Sequence, residues 1–321
     1  MTRRILVAGG AGFVGRQLVR KLLAQQHAVC VIDTLKFGNR FSESDNRNIT
    51  LETVDIRDRL AVCDVVERFR PDVMIHLAAI HFIPECERDP IQAEEVNVLG
   101  TMNLLRACPV GARFVFASSG AVYRPDEAPH DESSSAVEPA DVYGLTKLHG
   151  EQYVRYFVKQ RGLCGAVVRL FNVIGPGETS PHILPEIVYQ LKSGATKIML
   201  GNVWPQRDYI HVEDAAEGFG QVALWGNIPS GEIKLVNLGT GKQYSVSTIL
   251  DQLRSLTGLP IEVERDALRV RAVDRPSLQA NIARIQADFG WSPRLNLTAA
   301  LTDLWANPDL APSLVEQLQA R

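Results

Sequence analysis

The sequence has little of what marks several large classes of protein. Its five cysteines are scattered and form no CxxC pair, which excludes a disulfide framework and a zinc knuckle. The 34 lysines and arginines do not exceed the 37 aspartates and glutamates, so no basic surplus exists to neutralise a nucleic-acid backbone. No apolar run approaches the roughly 20 residues that a membrane helix needs. We therefore expect no nucleic-acid partner, no membrane association and a cytoplasmic location.

The composition leaves ample material for a large hydrophobic core. The chain has 321 residues, of which 45% are hydrophobic and 22% charged, as in an ordinary globular protein. In the first half, short apolar runs alternate with segments of helical periodicity, which predicts parallel strands joined by helices. We predict an α/β fold with a doubly wound parallel sheet over residues 1–170. A smaller mixed α/β lobe over 171–321 is expected to interleave with elements that return to the main sheet.

A glycine-rich turn lies between the first predicted strand and the first predicted helix. Such a turn brings the backbone close to a pyrophosphate, which the N–H groups at the helix N-terminus then bind. This is the Rossmann-type dinucleotide site, and its glycines are spaced as GxxGxxG. The residues predicted to hold the cofactor here are Gly9, Gly12, Phe13, Val14 and Gly15.

An acidic residue ends the second predicted strand. Asp33 comes eighteen residues after Gly15, where a carboxylate accepts both ribose hydroxyls of the adenosine and repels a 2′-phosphate. The same residue could be an ordinary carboxylate at a strand end. In the context of the glycine turn, Asp33 favours NAD over NADP.

A tyrosine and a lysine stand four residues apart at the start of a long predicted helix. Tyr143 and Lys147 therefore project from one helix face. A tyrosine with a pKa near 10 is a poor base at neutral pH, but an adjacent ammonium group and a positive nicotinamide ring would lower that pKa. Ser119, at the end of another strand, could hydrogen-bond the same reacting oxygen. Although YxxxK also occurs by chance, after a nucleotide fold it predicts a catalytic group of Ser119, Tyr143 and Lys147.

Further motifs follow in a fixed order along nearly the whole chain. In this order the sequence resembles the extended short-chain dehydrogenases/reductases of the NDP-sugar epimerase/dehydratase family, in particular their 4-epimerases. The motifs are Asp55-Ile56, His76-Leu77-Ala78-Ala79, Asn97-Val98-Leu99-Gly100-Thr101, Ser118-Ser119-Gly120-Ala121, Arg169-Leu170-Phe171-Asn172 and Arg207-Asp208-Tyr209-Ile210-His211-Val212.

The resemblance implies roles for residues on both sides of the site. Around the cofactor it implies that Asp55 and Ile56 flank the adenine, that the segment of Leu77, Ala78 and Ala79 passes along the phosphates, and that Asn97 lies near NAD. Ser119 and Asn172 are implied to contact a nucleotide-diphosphate sugar. Arg207, Arg271 and Asp274 match family positions on the sugar-nucleotide side, and guanidinium groups suit a diphosphate. Both arginines could instead be solvated surface charges.

Two positions depart from the dehydratases of the family. Where those enzymes carry an Asp and a Glu, this chain has Gly120 and Ala121, and neither side chain can transfer a proton. We therefore predict epimerisation of a nucleotide sugar at C4, through a transient 4-keto intermediate. The alternatives are a dehydratase that uses other residues, such as His81 or Glu85, and a non-catalytic protein that binds NAD or a sugar nucleotide.

A second departure from the family's pattern is the segment that begins at His81, after the fourth predicted strand. His81 is expected to bind the cofactor, for instance by a hydrogen bond to a ribose or phosphate. It could also join Glu85 and Cys86 as a metal-binding or acid/base group, but we expect no metal.

Finally, the resemblance implies a homodimer formed through the long helices, with apolar surface supplied by Val142, Tyr153, Tyr156 and Phe157, although these residues could equally face the core.

Overall fold

The computed structural model describes residues 2–266, 269 and 275–319. The strands, numbered in chain order, are β1 Arg4–Ala8, β2 Ala28–Asp33, β3 Ile49–Thr53, β4 Val73–His76, β5 Arg113–Ser119, β6 Cys164–Leu170, β7 Asn172–Ile174, β8 Lys197–Leu200, β9 Gln206–His211, β10 Ile233–Leu238, β11 Gln243–Ser245, β12 Glu262–Arg265 and β13 Ser277–Leu278. The α-helices are α1 Phe13–Ala24, α2 Glu43–Asn48, α3 Arg59–Phe69, α4 Ile83–Arg88, α5 Pro90–Glu94, α6 Gly100–Ala107, α7 Val142–Arg161, α8 Ile183–Lys192, α9 Val212–Leu224, α10 Val246–Thr257, α11 Ala283–Phe289, α12 Leu297–Ala306 and α13 Pro312–Gln319.

A seven-stranded parallel sheet forms the centre of the protein. Its strand order is β10-β6-β5-β4-β1-β2-β3, and every neighbouring pair is parallel. The chain reverses its direction of travel across the sheet between β1 and β4, and ligands of doubly wound sheets bind at the carboxyl ends of the strands beside such a reversal. The predicted doubly wound, Rossmann-type fold is confirmed.

Both faces of this sheet are covered by hydrophobic clusters. One cluster packs the sheet against α1 and α9, with Leu18 and Phe219 fully buried. The opposite cluster packs it against α3, α6 and α7, with Leu104 and Val154 fully buried. Because the central strands are buried on both faces, β1 is apolar from Ile5 onward rather than alternating in polarity.

The second half of the chain contributes to the central sheet and also builds smaller sheets. Strand β10 pairs with β6 at the edge of the central sheet. Strand β9 pairs with β7 and β13 in parallel and with β11 in the antiparallel direction, and β8 pairs with β12. A third hydrophobic cluster packs this mixed region against α8, α10 and α12.

The helical segment after α4 is not one continuous α-helix. A π-helical turn, Glu95–Leu99, separates α5 from α6. Such turns insert one extra residue into a helix and often lie at functional sites. Here the turn carries Asn97, whose amide bonds the loop after β4 and the side chain of Thr146 in α7. Within the described part of the chain, no helix is long and apolar enough to cross a membrane.

Candidate active site

A large cavity runs along the carboxyl ends of the central strands and into the mixed region. Its volume is about 1270 Å³. That exceeds the roughly 300–1,000 Å³ typical of a pocket for one small ligand. It therefore has room for a dinucleotide together with a second ligand.

The glycine turn forms one end of this cavity, and its backbone requires the absence of side chains. Gly9 has a φ of +81°, and a Cβ there would lie 2.5 Å from the backbone nitrogen of Ala78. A Cβ on Gly15 would lie 2.2 Å from the carbonyl oxygen of Gly9. Helix α1 begins with Gly12 as its N-cap, which has no side chain to cover the first N–H groups. All five residues predicted in this turn line the cavity, so the geometry fits a pyrophosphate.

Asp33 lies at the end of β2 beside the glycine turn and lines the cavity. Its Oδ2 accepts a hydrogen bond from the N–H of Ala11 at 3.0 Å, and its Oδ1 accepts one from the N–H of Leu35 at 2.9 Å. Burial raises the pKa of this carboxyl group, while the backbone hydrogen bonds oppose that shift. The side chain is thus fixed in orientation at the position expected for the adenosine ribose.

The residues that the resemblance implies around the adenine and the phosphates also line the cavity: Asp55, Ile56, Leu77, Ala78 and Ala79. Hydrogen bonds from Arg57 hold the pKa of Asp55 below its ordinary value. Ile56 packs so closely on α6 that a Cβ on Gly100 would lie 2.5 Å from its Cδ1. Asn97, by contrast, is not among the described residues of the cavity wall. It supports the wall from behind, since it bonds both the N–H and the carbonyl oxygen of Ile80.

Ser119, Tyr143 and Lys147 meet at the middle of the cavity. Helix α7 starts at Val142 because Asp141 caps it, accepting a hydrogen bond from the N–H of Gly144 at 2.7 Å. This start places Tyr143 and Lys147 on the helix face that meets β5. Ser119, at the end of β5, hydrogen-bonds the Tyr143 side chain. Lys147 donates from Nζ to the carbonyl oxygen of Ala117 at 2.9 Å, and its Nζ lies 5.8 Å from the centre of the Tyr143 ring.

The electrostatics of this group differ from the sequence-based expectation. Burial raises the pKa of Tyr143, and the hydrogen bond with Ser119 opposes the shift. Burial also lowers the pKa of Lys147 to about 8. The expected lowering of the tyrosine pKa is therefore not a property of the protein alone, because desolvation outweighs the hydrogen bond with Ser119. It would require the additional positive charge of an oxidised nicotinamide ring.

The two positions after Ser119 carry no acid/base side chain. A Cβ on Gly120 would lie 3.2 Å from the ring of Phe171, so a larger residue there would require that ring to shift by a few tenths of an ångström. Ala121 lines the cavity but is buried and has only a methyl group. The cavity wall next to the tyrosine is therefore without a carboxyl group at these two positions.

On the far side of the cavity lie residues expected to contact a substrate. Asn172, in β7, and Arg207, in β9, both line it. Arg207 donates hydrogen bonds to the carbonyl oxygens of Gln206 and Arg275, which orient its guanidinium group. The predicted Arg271 and Asp274 lie outside the described residues. Arg269 is described at the cavity wall and forms ion pairs with Glu186 and Asp266.

His81 also lines the cavity, but its neighbours are not the ones that the sequence suggests. Glu85 forms an ion pair with Lys36 at 2.9 Å. Cys86 is fully buried, which raises the pKa of its thiol to about 12, and it lies 3.5 Å from the carbonyl oxygen of Ile80. The suggested group of His81, Glu85 and Cys86 is therefore not formed. Burial and the charge of Lys147 lower the pKa of His81 to about 4.

Sequence reasoning missed three residues of the wall. Glu178 is buried, which raises the pKa of its carboxyl group to about 7, and His182 lies nearby on the same loop before α8. Arg275 is buried and donates to the carbonyl oxygens of Ala121 and Tyr123 and to Asp141. Through these bonds Arg275 ties the loop before β13 to the N-cap of α7. In the sequence, Gly175 and Gly177 indicate a turn just before Glu178.

The sequence model of the NAD dependent epimerase/dehydratase family matches residues 5–239. UDP-glucose 4-epimerase of Halalkalibacterium halodurans is 34% identical over 310 residues, which cover 90% of each chain.

Two solved structures resemble the chain over nearly its whole length. UDP-glucose 4-epimerase of Brucella ovis in complex with NAD has a TM-score of 0.82 at 27% identity, covering 98% of this chain and 99% of that one. UDP-glucose 4-epimerase of Thermotoga maritima with UDP-glucose has a TM-score of 0.83 at 25% identity, covering 98% of both chains. The predictions of the family and of NAD as its cofactor are confirmed. This chain belongs to the NAD dependent epimerase/dehydratase family and is an NAD-dependent enzyme of the extended short-chain dehydrogenase/reductase type.

Proposed function

We propose that the protein interconverts two nucleotide-diphosphate sugars that differ in configuration at C4. The observation that carries this proposal is the group of Ser119, Tyr143 and Lys147 at one cavity, with Gly120 and Ala121 beside it in place of carboxyl groups. The names of the relatives support the same reaction, since the 34% identical protein is a UDP-glucose 4-epimerase.

In this proposal the three side chains act on the proton and the oxygen of the C4 hydroxyl group. Tyr143 takes the proton of the C4 hydroxyl group, and Ser119 hydrogen-bonds the same oxygen while the carbonyl group forms. Lys147, protonated below its pKa of about 8, keeps a positive charge near the phenolate. NAD, when bound beside these residues, would supply the acceptor and donor of the hydride at C4. The 4-keto sugar then rotates in the cavity, so that the hydride returns to the opposite face of C4. Tyr143 gives the proton back to the C4 oxygen, and C4 now has the opposite configuration.

The same side chains do not suffice for loss of water from the sugar. Dehydration needs an acid for the leaving hydroxyl group and a base for the C5 proton, each within hydrogen-bond reach. Gly120 and Ala121 offer neither, and Glu85 is engaged by Lys36. This favours epimerisation over the dehydratase alternative. A purely binding protein would not need Ser119, Tyr143 and Lys147 together.

We expect substrate and product to have identical mass and to reach the same mixture from either sugar. The test is to incubate the purified protein with a panel of UDP-, GDP-, CDP- and dTDP-sugars and to follow products by NMR and mass spectrometry. The panel also identifies the base and the sugar. A product lighter by one water, or a persistent 4-keto signal, would contradict the epimerase proposal, whereas absence of turnover across the panel would favour the binding protein.

Asp33 should make NAD the preferred cofactor. Its carboxylate would face the 2′-phosphate of NADP. Two like charges placed next to each other in an interface cost several kcal/mol of binding free energy. We expect NADP to bind at least about tenfold more weakly than NAD, and Asp33→Asn to narrow the difference. Calorimetric titration of both cofactors measures this.

The matched control for that titration is Asp64→Asn, which removes an exposed carboxylate of α3 that pairs with Arg68. It should leave both affinities unchanged. Equal or tighter binding of NADP by the unaltered protein would overturn the role given to Asp33.

The substrate roles and the assembly belong to the same proposal. Asn172 and Arg207, together with the predicted Arg271 and Asp274, would bind the sugar nucleotide, and the boundary at residue 170 would separate cofactor-binding from substrate-binding parts. Tyr156 is 60% exposed and Tyr153 is 37% exposed on α7, which is compatible with the homodimer that the resemblance implies. Val142 and Phe157 are partly buried. The dimer and the cytoplasmic location stay predictions.

A further inference from the structure

A cluster of two histidines and a glutamate lies in the cavity wall and has no part in the proposed reaction. His81 comes from the loop after β4, whereas Glu178 and His182 come from the loop between β7 and α8, roughly a hundred residues later in the chain. One ligand atom from each residue lies within 4.8 Å of the others. Two separate segments of the chain therefore bring three metal-binding side chains to one point.

The local packing fixes the orientation of these side chains. The rings of His81 and His182 lie 5.4 Å apart at an angle of 37°, and the ring of Phe82 packs edge-on against His182 at 5.4 Å. Oε1 of Glu178 accepts hydrogen bonds from the N–H groups of Thr179 at 2.8 Å and Ser180 at 3.2 Å. Hydrogen bonds of this kind to a ligating carboxylate orient it and are characteristic of metal sites.

We propose that His81, Glu178 and His182 bind a divalent transition-metal ion of the zinc class at the wall of the cavity. Two imidazole nitrogens and one carboxylate oxygen suit Zn²⁺, Co²⁺ or Fe²⁺, whereas Mg²⁺ and Ca²⁺ prefer oxygen ligands alone. Bonds of about 2.0–2.2 Å to one ion place ligand atoms roughly 3–3.5 Å apart, so separations within 4.8 Å require only small side-chain movements.

The proposed metal site also leaves a coordination position free for a further ligand. Three protein ligands leave at least one coordination position, as in catalytic rather than structural zinc sites. All three residues line the cavity that Tyr143 and Lys147 share. The open position would therefore accept a hydroxyl or carboxylate oxygen of a molecule in that cavity. A cluster that only hydrogen-bonds the sugar directly is the competing explanation, and metal binding separates the two.

The experiment measures metal binding without reference to turnover. The full-length protein is treated with a chelator, titrated with Zn²⁺ in competition with a chromophoric chelator, and analysed for bound metal by mass spectrometry. Co²⁺ substitution gives a visible absorption spectrum that reports histidine ligation. We expect one ion per chain, and a loss of affinity of about tenfold to 100-fold or more in His182→Ala.

The matched control is His149→Ala. This histidine lies on α7, outside the cluster, and its Nδ1 lies 3.0 Å from Oε1 of Glu94. The control variant should keep full stoichiometry and affinity. Glu178→Gln is the second variant, because it keeps the shape of the side chain and should lose metal even if His182→Ala does not fold. Circular dichroism verifies folding of each variant. Less than one ion per chain in the unaltered protein, or equal affinity in Glu178→Gln and the unaltered protein, would overturn the proposal.

Discussion

Replacing Tyr143 with phenylalanine is expected to lower kcat by about 100- to 1,000-fold, the usual scale of a lost acid/base group. The variant removes the phenol oxygen that hydrogen-bonds Ser119 and that, in the proposed reaction, takes the substrate proton as the phenolate. The ring that packs in the cavity is kept. We therefore expect the melting temperature and the affinity for NAD to stay close to those of the unaltered protein, so that the loss falls on the chemical step.

Tyr153→Phe is the matched control for this variant. It makes the same chemical change on the same helix, at a side chain that is 37% exposed. Its kcat should not change. The measurement is initial rate with the sugar nucleotide that the substrate panel identifies, at saturating concentration. Near-normal turnover in Tyr143→Phe would mean that another group is the base, and Glu178 and His81 in the same cavity would be the first to examine.

The first part of the fold could be predicted because its signals are local. Strand β1, the glycine turn and α1 follow one another within twenty-one residues, and a strand buried on both faces is apolar without interruption. The caps are local as well: Ser245 accepts a hydrogen bond from Thr248 at the start of α10, as its position before the helix predicts.

The second half could not be predicted in this way because its pairing is non-local. Strand β12 is exposed along its whole length and shows no hydrophobic pattern, yet it pairs with β8, more than sixty residues earlier. Strand β7 has three residues and pairs with β9 across α8 and β8. Such short strands are recognised only when their partners are known.

The site divides along the same line. The glycine turn, Asp33 and the pair of Tyr143 and Lys147 have fixed spacings that carry their chemistry, and the sequence shows them. The cluster of His81, Glu178 and His182 has no spacing to recognise, since its loops meet only in the folded protein. Nor could the sequence reveal that burial would raise the pKa of Tyr143, because desolvation depends on every segment around the side chain.

Gly15→Ala should be nearly as damaging to cofactor binding as Tyr143→Phe is to catalysis. A methyl group at this position would lie 2.2 Å from the carbonyl oxygen of Gly9 and 2.7 Å from Cα of Gly10. Both are backbone atoms, so the clash can be relieved only if the glycine turn or the start of α1 moves. A misplacement of about 1 Å in a group that positions a reactant can lower the reaction rate roughly 100-fold. We expect NAD affinity to fall by about that factor, with a loss of stability of about 1–3 kcal/mol from overpacking.

Gly220→Ala separates this effect from any general consequence of adding a methyl group to a helix. Gly220 lies inside α9, and a Cβ there would meet only Cδ1 of Leu18, at an ordinary 3.8 Å. Because alanine is favoured over glycine within a helix by about 1 kcal/mol, this variant should be slightly more stable and should bind NAD normally. Calorimetric titration with NAD and thermal unfolding measure both variants. If Gly15→Ala bound NAD as tightly as Gly220→Ala, the pyrophosphate would have to lie elsewhere than at the N-terminus of α1.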